Sequence, residues 1–164
     1  DTSSQSQEDI VTFSEKIKTA KINQQNSDLM IIARIESFIL GKGIDDAMLR
    51  AKSYVNSGSD AIMIHSKKDK PYEIFDFLKK FKKEFNNIPL VCVPSTYSSV
   101  KESELIENGF NIVIYANHLF RAAYPAMVKT AESILTYERS KEIEDQLTSI
   151  KDMMDLIPGT NWKC

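Results

Sequence analysis

Four apolar runs constrain this 164-residue chain more than any other feature: LMIIARI (29–35), AIMIH (61–65), PLVCVP (89–94) and NIVIYA (111–116). Each is short, rich in β-branched residues and apolar throughout rather than alternating. Such runs are expected as strands of a parallel sheet covered on both faces. The segments between them carry helical periodicity. Ser6 is placed to cap a helix whose Ile10, Phe13, Ile17 and Ala20 recur at 3.6-residue spacing. ILGKGID turns the chain into a helix over about 45–56, stopped by Gly58, and Pro71 opens another that runs to about Phe85. Ser99 with Glu102 forms a capping-box pattern for a short helix over 100–108, halted at Gly109. A long helix over 119–137 follows. A last amphipathic helix over 140–157 carries Ile143, Leu147, Ile150 and Met154 and stops at Pro158-Gly159. Asp1 to Gln5 is polar and reads as a loop. Strand and helix alternating four times imply right-handed βαβ units. The pattern alone leaves open a small open sheet or part of a (β/α)8 barrel, and the chain length favours the open sheet.

Composition narrows the function class. With 42% hydrophobic and 27% charged residues the chain is that of an ordinary soluble globular protein, able to bury roughly 70% of its unfolded surface. A net charge of −2 argues against a general nucleic-acid binder. The basic run KKFKKEF (79–85) interleaves lysines with Phe81 and Phe85 at helical spacing, which reads as a solvated helix face. Cys92 and Cys164 make neither a disulfide framework nor a metal cluster, so a reducing cytoplasm is the expected compartment. The apolar runs fall far short of the ~20 residues that span a membrane. The start, DTSSQSQEDI, has neither methionine nor a charged and apolar leader, and it reads as the middle of something longer.

In either architecture ligands bind at the carboxyl ends of the strands. Those ends deliver Arg34 and Glu36, then His65, Ser66 and Lys67, then Pro94, Ser95, Thr96 and Tyr97, and finally Asn117, His118 and Arg121. Arg34 follows five apolar residues, where an unpaired guanidinium is costly. A salt bridge to Glu36 or another acid would relieve that cost, and so would a bidentate grip on a carboxylate or phosphoryl group. His65 is either a satisfied strand-end histidine or a donor to a phosphoryl oxygen, and Asn117 either a turn residue or part of the rim. Jointly, Arg, His and hydroxyls on one rim favour an anion site. No glycine-rich phosphate loop is present, GKG (41–43) is a turn, and no serine sits in a nucleophile elbow.

The stretch ARIESFILGKGIDDAMLRAKSYVNSGSDAIMIHSKK resembles the phosphoenolpyruvate phosphomutase family of the isocitrate lyase-like superfamily of (β/α)8 barrels. Ala33 to Gly43 and Gly58 to Lys67 carry the family pattern. VPSTYSS (93–99), IVIYANHLFRAA (112–123) and IEDQLTSIKDMMDL are similar to its seventh and eighth strand ends and its C-terminal helix. The resemblance implies that this chain supplies strands five to eight of a barrel over residues 1–137, with 138–164 as a helical extension that can be exchanged between subunits. It implies a mutase moving a phosphoryl group between phosphoenolpyruvate and phosphonopyruvate, the entry to phosphonate biosynthesis. Arg34 and His65 are then the catalytic grip, with Ser66 as a further substrate-binding residue and Glu36 and Asn117 supporting them. Magnesium is implied as cofactor, with its ligands in the N-terminal half of the barrel and none in this chain. A homodimer or homotetramer is implied, with neither nucleic acid nor membrane as partner. Phosphonopyruvate hydrolase, a half-barrel without turnover and, more remotely, isocitrate or methylisocitrate lyase are the alternatives.

Overall fold

The computed structural model describes residues 5–26, 28–157 and 159. The expected loop over Asp1–Gln5 (Gln5 excepted), the stop at Pro158 and the second cysteine, Cys164, lie outside them. The chain forms two compact units, Asp1–Ala116 and Asn117–Cys164.

The first unit runs α1 (Ile10–Ile22), β1 (Ile32–Ile35), α2 (Gly43–Asn56), β2 (Ala61–Ile64), α3 (Tyr72–Glu84), β3 (Leu90–Cys92), α4 (Glu102–Glu107) and β4 (Ile112–Val113). All four expected strands form, and they pair in parallel in the order β1-β2-β3-β4. Right-handed crossovers in a sheet of that order leave every helix on the same face. The register shows which residues meet them. Ala33 pairs with Ile62, Ile35 with Ile64, Ile62 with Leu90 and Cys92 with Val113. Those residues point into the apolar core shared with Phe38, Tyr54, Phe77, Phe81 and Leu105. The opposite face carries Ile32, Arg34, Ala61, Met63, Val91 and Ile112. Burial on both faces therefore fails at the first strand: Ile32 and Arg34 are exposed while Ala33 and Ile35 are buried. Among the described residues of this unit, the helices lie on one side of the sheet and leave β1 open on the other.

Helix ends follow local chemistry. Gly58, at φ +99°, donates to Val55 O (2.9 Å) while Ser59 N–H reaches Tyr54 O (3.1 Å). Gly109, at φ +106°, ends α4 the same way, with Phe110 N–H on Leu105 O (3.1 Å). Both stops need the left-handed backbone that glycine adopts without strain. Two caps differ from expectation. Asp9, not Ser6, caps α1 by accepting from Val11 N–H (2.9 Å) and Thr12 N–H (3.1 Å). The helix after Ser99 starts later, behind Lys101, with no side-chain cap bond. The basic run is a solvated face: α3 buries Ile74, Phe77, Leu78 and Phe81 and leaves Lys79, Lys80 and Lys83 in water. Phe77 stacks on Phe81 (5.5 Å) and meets Phe38 edge-on (6.4 Å).

The second unit holds α5 (His118–Tyr137), a 3-10 turn (Glu144–Gln146) and α6 (Ile150–Asp155). The single helix expected over 140–157 is broken. Leu147 is extended (φ −94°, ψ 148°), and Ser149 starts a new helix by accepting from Asp152 N–H at 3.0 Å. A serine that can cap competes with helix continuation, and here it prevails over the apolar periodicity. Ile143 is buried, whereas Leu147 and Ile150 are exposed.

Candidate active site

The carboxyl ends of β1 and β2 lie side by side, since Ile35 pairs with Ile64. One residue further along each strand stand Glu36 and His65. Together with Arg34, Gln5, Ile39 and Lys67 they line a cleft of about 360 Å³. Two adjacent parallel strands thus bring a guanidinium, an imidazole, a carboxylate and an ammonium into one hollow, where the fold class places its ligands.

Arg34 projects from the face of β1 that carries no helix, and its Nε donates to Glu36 Oε1. The salt bridge that the sequence allowed therefore exists. It engages only Nε, and among the described residues the terminal amino groups have no other hydrogen-bond partner. The Arg34 side chain is 53% exposed against 15% for Glu36, so the acid is the fixed member and orients the base. His65 is half-buried, and its Nδ1 has no hydrogen-bond partner among the described residues. Burial lowers the His65 pKa below the usual imidazole value, the Arg34 cation lowers it further, and Glu36 only partly opposes them. The ring is thus neutral at pH 7, able to donate through one nitrogen and accept through the other.

The other strand-end residues go elsewhere. Ser66 is fully buried, outside the cleft lining, and its hydroxyl donates to Glu73 Oε1 (2.5 Å) and accepts Lys68 N–H (3.1 Å). Thr96 Oγ1 donates to the Ser66 carbonyl at 2.9 Å. Tyr97 sits in the core near Cys92, whose thiol is pushed up to about 12 by burial, with the Tyr97 hydroxyl partly offsetting it. Such a thiol supplies no thiolate nucleophile. Asn117 precedes α5 in the second unit without a side-chain cap bond, and its carbonyl accepts Arg121 N–H at 2.9 Å. Among the described residues no group of three or more His, Cys, Asp or Glu is placed to hold a metal ion.

Sequence reasoning missed two features. Gln5 and Ile39 line the cleft with no signal in their local pattern. Arg50, on α2, is buried behind the site and donates to Asp46 Oδ2 (3.1 Å), Glu8 O (2.9 Å) and Tyr54 Oη (3.0 Å). The four-residue spacing of Asp46 and Arg50 was the available clue.

Comparison with known proteins bears on the fold and the family. The family model described as phosphoenolpyruvate phosphomutase matches residues 1–135. A curated phosphoenolpyruvate phosphomutase from Tetrahymena pyriformis is 39% identical over 144 residues, covering 88% of this chain and 47% of that protein. The crystal structure of the phosphoenolpyruvate phosphomutase from Streptomyces platensis subsp. rosaceus superposes with TM-score 0.85 at 37% identity, over 93% of this chain and 52% of that one. A phosphonopyruvate hydrolase crystallised with oxalate and magnesium gives TM-score 0.81 at 34% identity, over 91% and 52%. The chain thus spans about half the length of the relatives it matches. Among the described residues no helix is long and apolar enough to cross a membrane.

Proposed function

Because this chain belongs to the phosphoenolpyruvate phosphomutase family, we propose that it forms the C-terminal half of a (β/α)8 barrel whose complete form interconverts phosphoenolpyruvate and phosphonopyruvate. The observation that carries this reading is the joint lining of one cleft by Arg34, Glu36 and His65 at the ends of adjacent parallel strands. Strand order without reversal, helices on a single face and a bare inner face at Ile32 and Arg34 are what an arc of such a barrel presents. The second half of the barrel, beyond the residues of this chain, would cover that face.

In this reading Arg34 and His65 hold the migrating phosphoryl group. A loose transition state spreads negative charge over the equatorial oxygens, so catalysis depends on positioning and fixed charge. Glu36 takes the Arg34 Nε and turns the guanidinium so that its terminal amino groups face the oxygens. Neutral His65 donates its one N–H to an oxygen. Ser66 supports the rim. Magnesium, present in the related hydrolase structure, finds no ligand set among the described residues, and Glu36 is committed to Arg34. Its ligands belong to the other half. Exchange of the terminal helices in a homodimer or homotetramer is part of the proposal. It is supported by α6 in the terminal extension, which buries no residue and leaves Ile150 and Met153 exposed.

The test is Arg34→Ala in the complete enzyme, assayed with phosphonopyruvate and magnesium. Turnover is lost while magnesium affinity stays intact, and near-normal turnover would overturn the phosphoryl grip. The product separates the two activities: phosphoenolpyruvate marks the mutase, pyruvate with inorganic phosphate the hydrolase.

A further inference from the structure

His65 stands where it does although its Nδ1 bonds to nothing among the described residues. The backbone that follows it is pinned from three directions. Ser66, with no exposed surface, sends its hydroxyl proton to Glu73 Oε1 at 2.5 Å. The Ser66 hydroxyl oxygen in turn accepts Lys68 N–H at 3.1 Å, closing a turn immediately beyond the histidine. Thr96, from the loop after β3, donates to the Ser66 carbonyl at 2.9 Å. Lys68 Nζ pairs with the other Glu73 oxygen. Glu73 lies in the first turn of α3, where the helix dipole favours a carboxylate, and its side chain is only 17% exposed.

We infer that Glu73 is a positioning residue for His65, acting through the buried hydroxyl of Ser66. The hydroxyl of a buried serine has one direction in which to donate here, and an oxygen acceptor at position 73 sets it. A purely structural anchor for α3 would not need Ser66, because the helix already packs through Ile74, Phe77, Leu78 and Phe81. Thr96 secures the same peptide from the far side, so the histidine is held between two strand ends. Ser66 thus serves the site without touching substrate. The inference rests on the activity proposed above.

The experiment compares Glu73→Ala, Glu73→Gln, Ser66→Ala and the Glu73→Ala/Ser66→Ala double variant in the complete enzyme. Small displacements of a reacting group cost on the order of 100-fold in rate. The expected result is a kcat drop of about 10- to 100-fold in Glu73→Ala and Ser66→Ala, with KM changed less than about threefold. The double variant is no slower than the worse single, because both break one connection. Glu73→Gln keeps an acceptor for Ser66 and stays within about threefold of the parent. Nuclear magnetic resonance of the full chain adds a second readout: the His65 ring signals shift in Glu73→Ala and return in Glu73→Gln. Unchanged kcat with unshifted His65 signals in Glu73→Ala, or additive losses in the double variant, would overturn the inference. If the parent enzyme converts neither phosphoenolpyruvate nor phosphonopyruvate, the activity reading fails, and unshifted His65 signals in Glu73→Ala would then overturn the positioning role by themselves.

Discussion

Replacing Arg50 by methionine should destabilise the first unit severely, whereas the same change at Arg34 should barely register. Arg50 is 5% exposed and its guanidinium makes three hydrogen bonds, to Asp46 Oδ2, Glu8 O and Tyr54 Oη. Burial alone would weaken its charge, but the bonds to Tyr54 and Asp46 outweigh it and hold the group ionised. Methionine keeps the apolar stem and deletes all three donors. Asp46 is left with the Ser37 hydroxyl at 2.7 Å as its remaining partner. Breaking a buried pair while leaving its partner in place costs about 3–5 kcal/mol. At roughly 2–4 °C per kcal/mol for a chain this long, that is a fall in Tm of about 6–20 °C. Arg34 has one ion pair on a half-exposed side chain, worth under about 1 kcal/mol. Thermal and urea denaturation followed by far-ultraviolet circular dichroism measure both. Equal shifts for the two variants, or an Arg50→Met loss below about 1 kcal/mol, would refute the argument that burial separates the structural arginine from the functional one.

Two pH predictions follow from charges around the core. The His65 resonance in the full chain should titrate below the ordinary 6.5, because burial and Arg34 disfavour the imidazolium. Arg34→Ala should raise that midpoint and Glu36→Gln should lower it further; a parent midpoint at or above 6.5 contradicts the neutral-histidine reading. Burial pushes the Asp60 carboxyl up, but Ile31 N–H (2.7 Å) and Lys21 Nζ (2.9 Å) together hold it below the ordinary 3.8. Its contribution is present above the unfolded value and is lost as pH falls through the lower folded one. Asp60→Asn should therefore cost about 1–2 kcal/mol near neutral pH and nothing once the parent carboxyl is protonated. A stability difference independent of pH would dispose of that account.

Much of the fold was legible because its signals are local. Four β-branched runs became four parallel strands, and Gly58 and Gly109 ended helices where glycine alone avoids strain. The helix over 140–157 was misjudged because apolar spacing was visible while the capping strength of Ser149 was not weighed against it. Within the site, Arg34 and His65 could be picked out by residue type at a strand end. The burial of Ser66 could not, since its partner Glu73 lies on a helix whose docking decides whether the hydroxyl meets a carboxylate or water.

By itself the sequence determined the alternation of strands and helices in the first unit, the glycine stops at Gly58 and Gly109, the family and the pair of residues most suited to an anion. Periodicity, capping and turn chemistry act over a few residues and can be read in one dimension. Only the tertiary structure decided the strand order, the face on which Arg34 stands, which arginine is buried, and that Ser66 looks inward. Those outcomes depend on contacts such as Ser66 with Thr96 and Arg50 with Glu8, between residues 30 and 42 positions apart. Packing of whole elements, rather than any local preference, sets such distances.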